Sequence, residues 1–275
     1  MLRLMKKHYL GSTESKFHRR VSFVCLFICL LFIISCKKSD NNKEKNNGKT
    51  YLPTTIHPAG GTADEDVKVT YVANTNMIAT YNEGSDNSVV FKFTYTADKK
   101  PLTFDYADDS GEAKGTYVVN SAGRITRVNI TLGADQTGYD YATYNYDGKG
   151  NITSVDYFDA DDTSEGELDM DYDAAGNITG STLVGGSGDL QSYQYDTKNG
   201  VFKNIAYIEM FLILGDPSFS TYKLNNPVAI TNLKSAAFNQ SLAYVYNADG
   251  YPTKLTTSYN DGTNDDVTEF TYVTN

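Results

Sequence analysis

Tryptophan is absent from this 275-residue chain, which holds only three cysteines, three histidines and six prolines. Cys25 and Cys29 lie inside an apolar run near the N-terminus, so Cys36 is the one cysteine downstream and no disulfide is available there. His8 and His18 precede the same run, which leaves His57. The chain has no G-x-S-x-G, no H-E-x-x-H and no phosphate-binding glycine loop. No catalytic residue, metal ligand or cofactor site is therefore assigned, and the expectation leans away from an enzyme.

Positive charge is also scarce. The chain carries 24 Lys and Arg against 34 Asp and Glu, with six basic residues and one acidic residue before Cys36; from there on, 18 face 33, a net −15. Nucleic acid, which is held by neutralising phosphates, is excluded as a partner. The same balance argues against a second electrostatic hold on an anionic membrane surface.

What is present begins with the N-terminus. Lys6, Lys7, Arg19 and Arg20 precede an unbroken apolar run, Val21 to Ile34. A basic segment and about 7–15 apolar residues make a secretory signal, whereas a spanning helix needs about 20. The run ends Ile33-Ile34-Ser35-Cys36, which resembles the lipobox of bacterial lipoproteins. The resemblance implies that residues 1–35 are removed and that Cys36 is lipidated. Lys37 to Thr50 contains no apolar side chain, so residues 36–50 are expected to be a disordered tether. As a flexible coil its 14 residues after Cys36 span about 20 Å. The expected location is the outer membrane, lipid-anchored, with the periplasmic face and the cell surface both open.

Residues 51–275 read as one all-β domain organised around a repeat. Its clearest copy is Tyr144 to Val155, YNYDGKGNITSV. Tyr144 and Tyr146 share a strand face. Asp147 can accept turn N–H groups, and Gly150 can take positive φ. Related turns follow Val119, Tyr172, Tyr195 and Tyr246; weaker copies begin at Tyr71, Tyr95 and Leu224, and Tyr272 reads as a last strand without a partner. These anchors are 24, 24, 27, 26, 23, 29, 22 and 26 residues apart, a period that implies stacked supersecondary units. Each unit is a hairpin that needs neighbours to be stable. The expected fold is a curved antiparallel meander of repeated β-hairpins with one short buried helix.

Two details sharpen this expectation. Ile125 and Val128, like Ile152 and Val155, are three apart, so a flat strand would place them on opposite faces. A bulge near Thr153-Ser154 would restore one face and curl the sheet. Residues 204–214 are apolar nearly all round, with Asn204 as a candidate cap and Gly215 and Pro217 as stops. They are expected to form a helix on the concave side, with a buried central strand as the rival.

At Tyr146-Asp147…Gly150-Asn151-Ile152 and again at Tyr246 to Leu255 the sequence resembles the YD repeats of Rhs-type proteins, which build spiralling β-sheet shells. With the N-terminal features, it is similar to Bacteroidetes outer-membrane lipoproteins with YD-like repeats. The resemblance covers nearly all of residues 51–275; it implies an architecture and carries no activity.

Nine carboxylates crowd Asp156 to Asp173: Asp156, Asp159, Asp161, Asp162, Glu165, Glu167, Asp169, Asp171 and Asp173. A calcium site and a solvated hairpin tip both remain open, although the spacing is not that of an EF-hand. Asn129, Asn151 and Asn177 each begin an N-I-T sequon, which in this context is mostly repeat grammar. Three functions follow. The first is a non-enzymatic envelope module that binds glycan, peptide or an envelope protein on an exposed sheet face. The second is a polysaccharide hydrolase with paired carboxylates about 5–10 Å apart. The third is a purely structural envelope component.

Overall fold

The structure, a computed structural model, describes residues 49–62, 65–84, 89–108, 111–133, 138–184 and 190–275. The alternating apolar segments form sixteen strands: β1 Tyr51–Pro58, β2 Val67–Tyr71, β3 Ile78–Glu83, β4 Val89–Tyr95, β5 Pro101–Asp108, β6 Gly111–Val119, β7 Ile125–Leu132, β8 Tyr141–Tyr146, β9 Ile152–Phe158, β10 Ser164–Tyr172, β11 Ile178–Val184, β12 Leu190–Tyr195, β13 Pro227–Asn232, β14 Gln240–Tyr246, β15 Pro252–Tyr259 and β16 Asp266–Thr274. Each pairs antiparallel with its sequence neighbours, and β1 pairs with β16. The meander is as expected, but it closes into a barrel where an open curved sheet was anticipated.

The closure corrects the reading of Tyr272. Its strand has a partner at the other end of the chain: Tyr272 faces Pro53 as Tyr146 faces Ile152. The two termini thus build the eighth hairpin-like unit. A closed ring leaves no strand edge to template association.

The bulge is present in every unit. Asn145 faces Ser154 while Tyr146 faces Ile152, so Thr153 is the extra residue. The same slip follows the pairs Tyr71/Ile78, Tyr95/Pro101, Val119/Ile125, Tyr172/Ile178, Tyr195/Pro227 and Tyr246/Pro252. It turns both members of each three-apart pair inward: Ile125, Val128 and Val155 are fully buried and Ile152 is 8 % exposed. Repeated bulges bend each strand at the same height, which is how so long a meander curls shut.

The repeated tyrosines lock the units together. Tyr71, Tyr95, Tyr146, Tyr172 and Tyr272 donate to the carbonyls of Pro53, Ile78, Ile125, Ile152 and Pro252 at 2.7–2.8 Å. Each acceptor belongs to the preceding hairpin, so each hydroxyl ties one unit to the next. Burial pushes these phenols above their ordinary pKa, so they stay neutral donors.

The turns work as the sequence suggests. Asp147 Oδ1 accepts the N–H groups of Lys149, Gly150 and Asn151, and Oδ2 accepts the Asn151 amide. Those bonds, led by Asn151, hold its carboxyl below the usual value. At Asp173 burial pulls the other way, but bonds from Asn177, Gly176 and Ala175 outweigh it. Gly150 has φ 97°. A Cβ there would stand 2.6 Å from Arg124 Nη2, whereas one on Gly148 would meet nothing within 4 Å. Gly150→Val is expected to cost about 1–3 kcal/mol and Gly148→Val less than about 0.5. Urea midpoints of the two variants check this, and equal midpoints would remove the strained-turn explanation.

The segment between β12 and β13 fills the barrel. Asp196 and Asn226 reproduce the turn closure, Asp196 N–H donating to Asn226 O at 3.0 Å as Asp147 does to Asn151 at 2.9 Å. Residues 199–225 are therefore a long insertion into one repeat turn. Leu224 lies within it and begins no repeat, which corrects the anchor placed there. Residues 204–214 are largely buried, as anticipated, but the helix is a 3-10 segment over Ile208–Leu214, followed by a single α-turn, Ser218–Thr221. Tyr207 and Gly215 bound it with φ 58° and 69°, so an α-helix has no room to propagate. Asn204 does not cap it; its side chain bonds Tyr51 O and Tyr251 Oη. Wall tyrosines serve the carbonyls instead: Tyr157 bonds Leu212 O at 2.7 Å and Tyr117 bonds Met210 O at 3.3 Å. Phe211, 1 % exposed, stacks on Phe219 at 4.2 Å and meets Tyr81, Phe91 and Phe93 edge-on at 5.4 Å each. Inward side chains of the wall and this plug form one apolar cluster.

Candidate functional site

Three surfaces carry the barrel's polar chemistry: the outer wall, the repeat-turn end and the opposite end.

Alternation places Lys68, Thr70, Lys92, Thr94, Lys114, Thr116, Glu167, Asp169 and Asp171 on the outside, between inward Val, Phe, Tyr, Leu and Met. Outer threonines pair across strands, Thr70 with Thr80 and Thr94 with Thr103, both at 2.6 Å. A barrel that crosses a membrane needs an outward apolar band about 25 Å tall and usually has a polar interior. Among the described residues this barrel has an apolar interior and a wall that is mostly charged and hydroxyl-bearing, with Leu102, Val118, Val184, Val245 and Val273 exposed on it as scattered apolar positions. The repeat tyrosines Tyr71, Tyr95, Tyr146, Tyr172 and Tyr195 pack toward the core, so they do not form the exposed aromatic face that the binding expectation placed on the sheet.

The acidic segment divides among separate places. Asp159 caps its own turn, accepting the N–H groups of Asp161 and Thr163, and Asp162 accepts the Tyr141 hydroxyl at 2.5 Å. Asp173 belongs to a repeat turn at the other end. On the wall, Asp156 accepts from the Asn145 amide at 2.7 Å and lies opposite Glu167, while Asp169 lies opposite Ser154. Burial raises the Glu167 carboxyl, helped by the charges and hydrogen bonds of Asp169 and Asp156. Carboxyls that share hydrogen bonds on a convex wall do not make the facing pair that glycoside hydrolysis needs. Among the described residues no group of three or more His, Cys, Asp and Glu is arranged to hold a metal ion. Beside this patch Arg127 lies 3.5 Å over the Tyr141 ring, which stacks on Phe158 at 4.9 Å.

The sequons are occupied by structure. Asn151 and Asn177 bond Asp147 and Asp173 within their turns, and Asn129 accepts from Arg127 Nε at 2.7 Å. His57 bonds Asp66 at 2.5 Å, away from the repeat turns.

The domain starts at the repeat-turn end. Thr50 and Asn275 exchange backbone bonds at 3.0 and 3.1 Å. Tyr51 stacks on Tyr251 at 4.5 Å, sits edge-on to Tyr272 at 5.9 Å, and its hydroxyl bonds Asp249. Cys36, the expected lipidation site, lies outside the described residues, as does the tether to residue 48.

Charge divides unevenly between the ends, a feature that reading by repeat unit misses and reading by alternate loops reveals. The turn-end connections, 72–77, 96–100, 120–124, 147–151, 173–177, 196–226 and 247–251, hold seven acidic and seven basic residues. Among the described residues the connections at the other end hold eight acidic residues, Glu65, Asp66, Asp140, Asp159, Asp161, Asp162, Asp261 and Asp265, and one basic, Lys234.

No family model and no curated protein matches the chain. Among solved structures it is similar to a porin-like protein from Bacteroides vulgatus, at 14 % identity and TM-score 0.48, covering 82 % of this chain and 99 % of that one. A porin-like protein from Bacteroides uniformis follows at 10 % identity and TM-score 0.39, covering 80 % and 96 %. The TcdB2-TccC3 structure matches 74 % of this chain and 10 % of its own, at 14 % identity and TM-score 0.32.

Proposed function

We propose that the chain is an envelope lipoprotein whose barrel is a non-enzymatic binding or scaffold module, held outside the bilayer by a lipid on Cys36. The observation that carries this reading is the polarity of the barrel: charged and hydroxyl side chains outside, one continuous apolar cluster and a plug within. Such a wall is built for water, and such an interior leaves the surface as the working part. The Val21–Cys36 sequence supplies the anchor. A glycan, a peptide or an envelope protein is the partner class, and the loops at either end replace the sheet face as its place of contact. Asp156, Glu167 and Asp169, which share one outward patch, are not the facing pair that a polysaccharide hydrolase needs.

Cys36→Ala tests the anchor. One acyl chain binds a membrane marginally and two or more hold it stably, at about 0.8 kcal/mol per buried CH₂. The variant should be released or retained as precursor. A variant that still fractionates with the outer membrane shows that the lipid does not hold the protein there. Glycan arrays and pull-downs with residues 49–275 address the partner.

A further inference from the structure

We infer that the barrel stands with its repeat-turn end against an anionic bilayer surface and its acidic loop end turned away from it. The inference rests on the lipid-anchor reading and adds a direction and a docking surface to it.

The first ground is where the described chain begins. Thr50 and Tyr51 are fixed at the turn end by the bonds to Asn275, Asp249 and Asn204 and by the stack on Tyr251. The tether must therefore leave from that end. Taken as a flexible coil, residues 37–49 would reach about 20 Å on average. A nine-residue strand such as β6 is about 30 Å long. Bringing the other end to the membrane would require the tether to run along the wall, stretched well beyond its mean span.

Charge supplies the second ground, independently. The turn end is balanced, seven acidic against seven basic residues, with Lys99, Lys149, Lys198, Lys203 and Asp98 exposed, so it lacks the acidic excess of the opposite end. Among the described residues the opposite connections hold eight acidic residues against Lys234. Charges are screened beyond about 8 Å at physiological ionic strength, so only the end in near contact with headgroups feels them. An anionic surface attracts the lysines at that distance and repels the acidic loops. The net −15 of the chain from Cys36 thus hides a polarity that orients it.

The test uses the full lipidated protein on vesicles of mixed phosphatidylcholine and phosphatidylglycerol, with single thiols at Ala97→Cys on the turn end or Asn264→Cys on the other. Each thiol carries a fluorophore, and the bilayer carries headgroup-spin-labelled lipid as quencher. Quenching at position 97 should exceed that at 264 several-fold. Replacing Lys99, Lys149, Lys198 and Lys203 by Gln should shrink the difference. Equal or reversed quenching in protein that floats with the vesicles overturns the orientation while leaving the anchor intact. An unchanged difference in the Gln variant overturns the electrostatic ground. Protein that fails to float at all overturns the anchor and the orientation together.

Discussion

Phe211→Asp should leave the domain unable to fold. Phe211 sits at the centre of the plug, 1 % exposed, stacked on Phe219 and ringed by Tyr81, Phe91 and Phe93. Truncating a buried phenylalanine costs about 3–5 kcal/mol. Placing a carboxylate there adds several more, because the rings it would meet, Tyr81, Phe91, Phe93 and Phe219, cannot pair with a negative charge. A domain of ordinary stability has about 5–15 kcal/mol to lose. Phe211→Leu keeps the site apolar and should remain folded with a lowered urea midpoint. Soluble yield and circular dichroism of the pair decide the matter. A Phe211→Asp protein that melts within a few degrees of the parent would mean the segment is not the core of the barrel.

Deleting residues 266–275 should have a comparably large effect. That strand pairs with β1 from Tyr51/Thr274 to Pro58/Thr268 and with β15 from Lys254/Glu269 to Thr257/Asp266. Without it β1 keeps only its short pairing to β2, at Thr55/Lys68 and Ile56/Val67. The Tyr272 bond to Pro252 is lost, and two long edges open at once. Unpaired edges template aggregation, so the truncated domain should be insoluble or exchange its amides throughout. An open meander would behave otherwise, losing one terminal strand and keeping protection from β2 to β14. A truncated protein that stays monodisperse and protected would show that closure contributes little.

The repeat unit was legible because its signals are local. Tyr146, Asp147, Gly150 and the Ile152/Val155 spacing each report on neighbours a few residues away, and the turn, the positive φ and the bulge at Thr153 all follow from them. The closure was not legible, because its two halves stand at opposite ends of the chain. Tyr272 carries the signature of a first strand, but its partner Pro53 follows no turn that would announce it. The plug was legible in burial and not in conformation. The apolar run Ile205–Leu214 shows that the segment is inside, whereas the left-handed Tyr207 that opens its short helix follows a long-range bridge of Ala206 to Met77 that no local signal announces. Leu224 misled because an insertion between Asp196 and Asn226 happens to be about one repeat long. The tyrosines misled differently: their number suggested a binding face, yet the hydroxyls of Tyr71, Tyr95, Tyr146, Tyr172 and Tyr272 go to the carbonyls of the neighbouring unit.

The most direct test of the account is the behaviour of residues 49–275 without detergent. The polar wall and filled interior predict a protein that is soluble in buffer alone and stays at the bottom of a flotation gradient with phosphatidylcholine vesicles. A domain that needs detergent to remain in solution, or that floats with those vesicles in the absence of its lipid anchor, would contradict it.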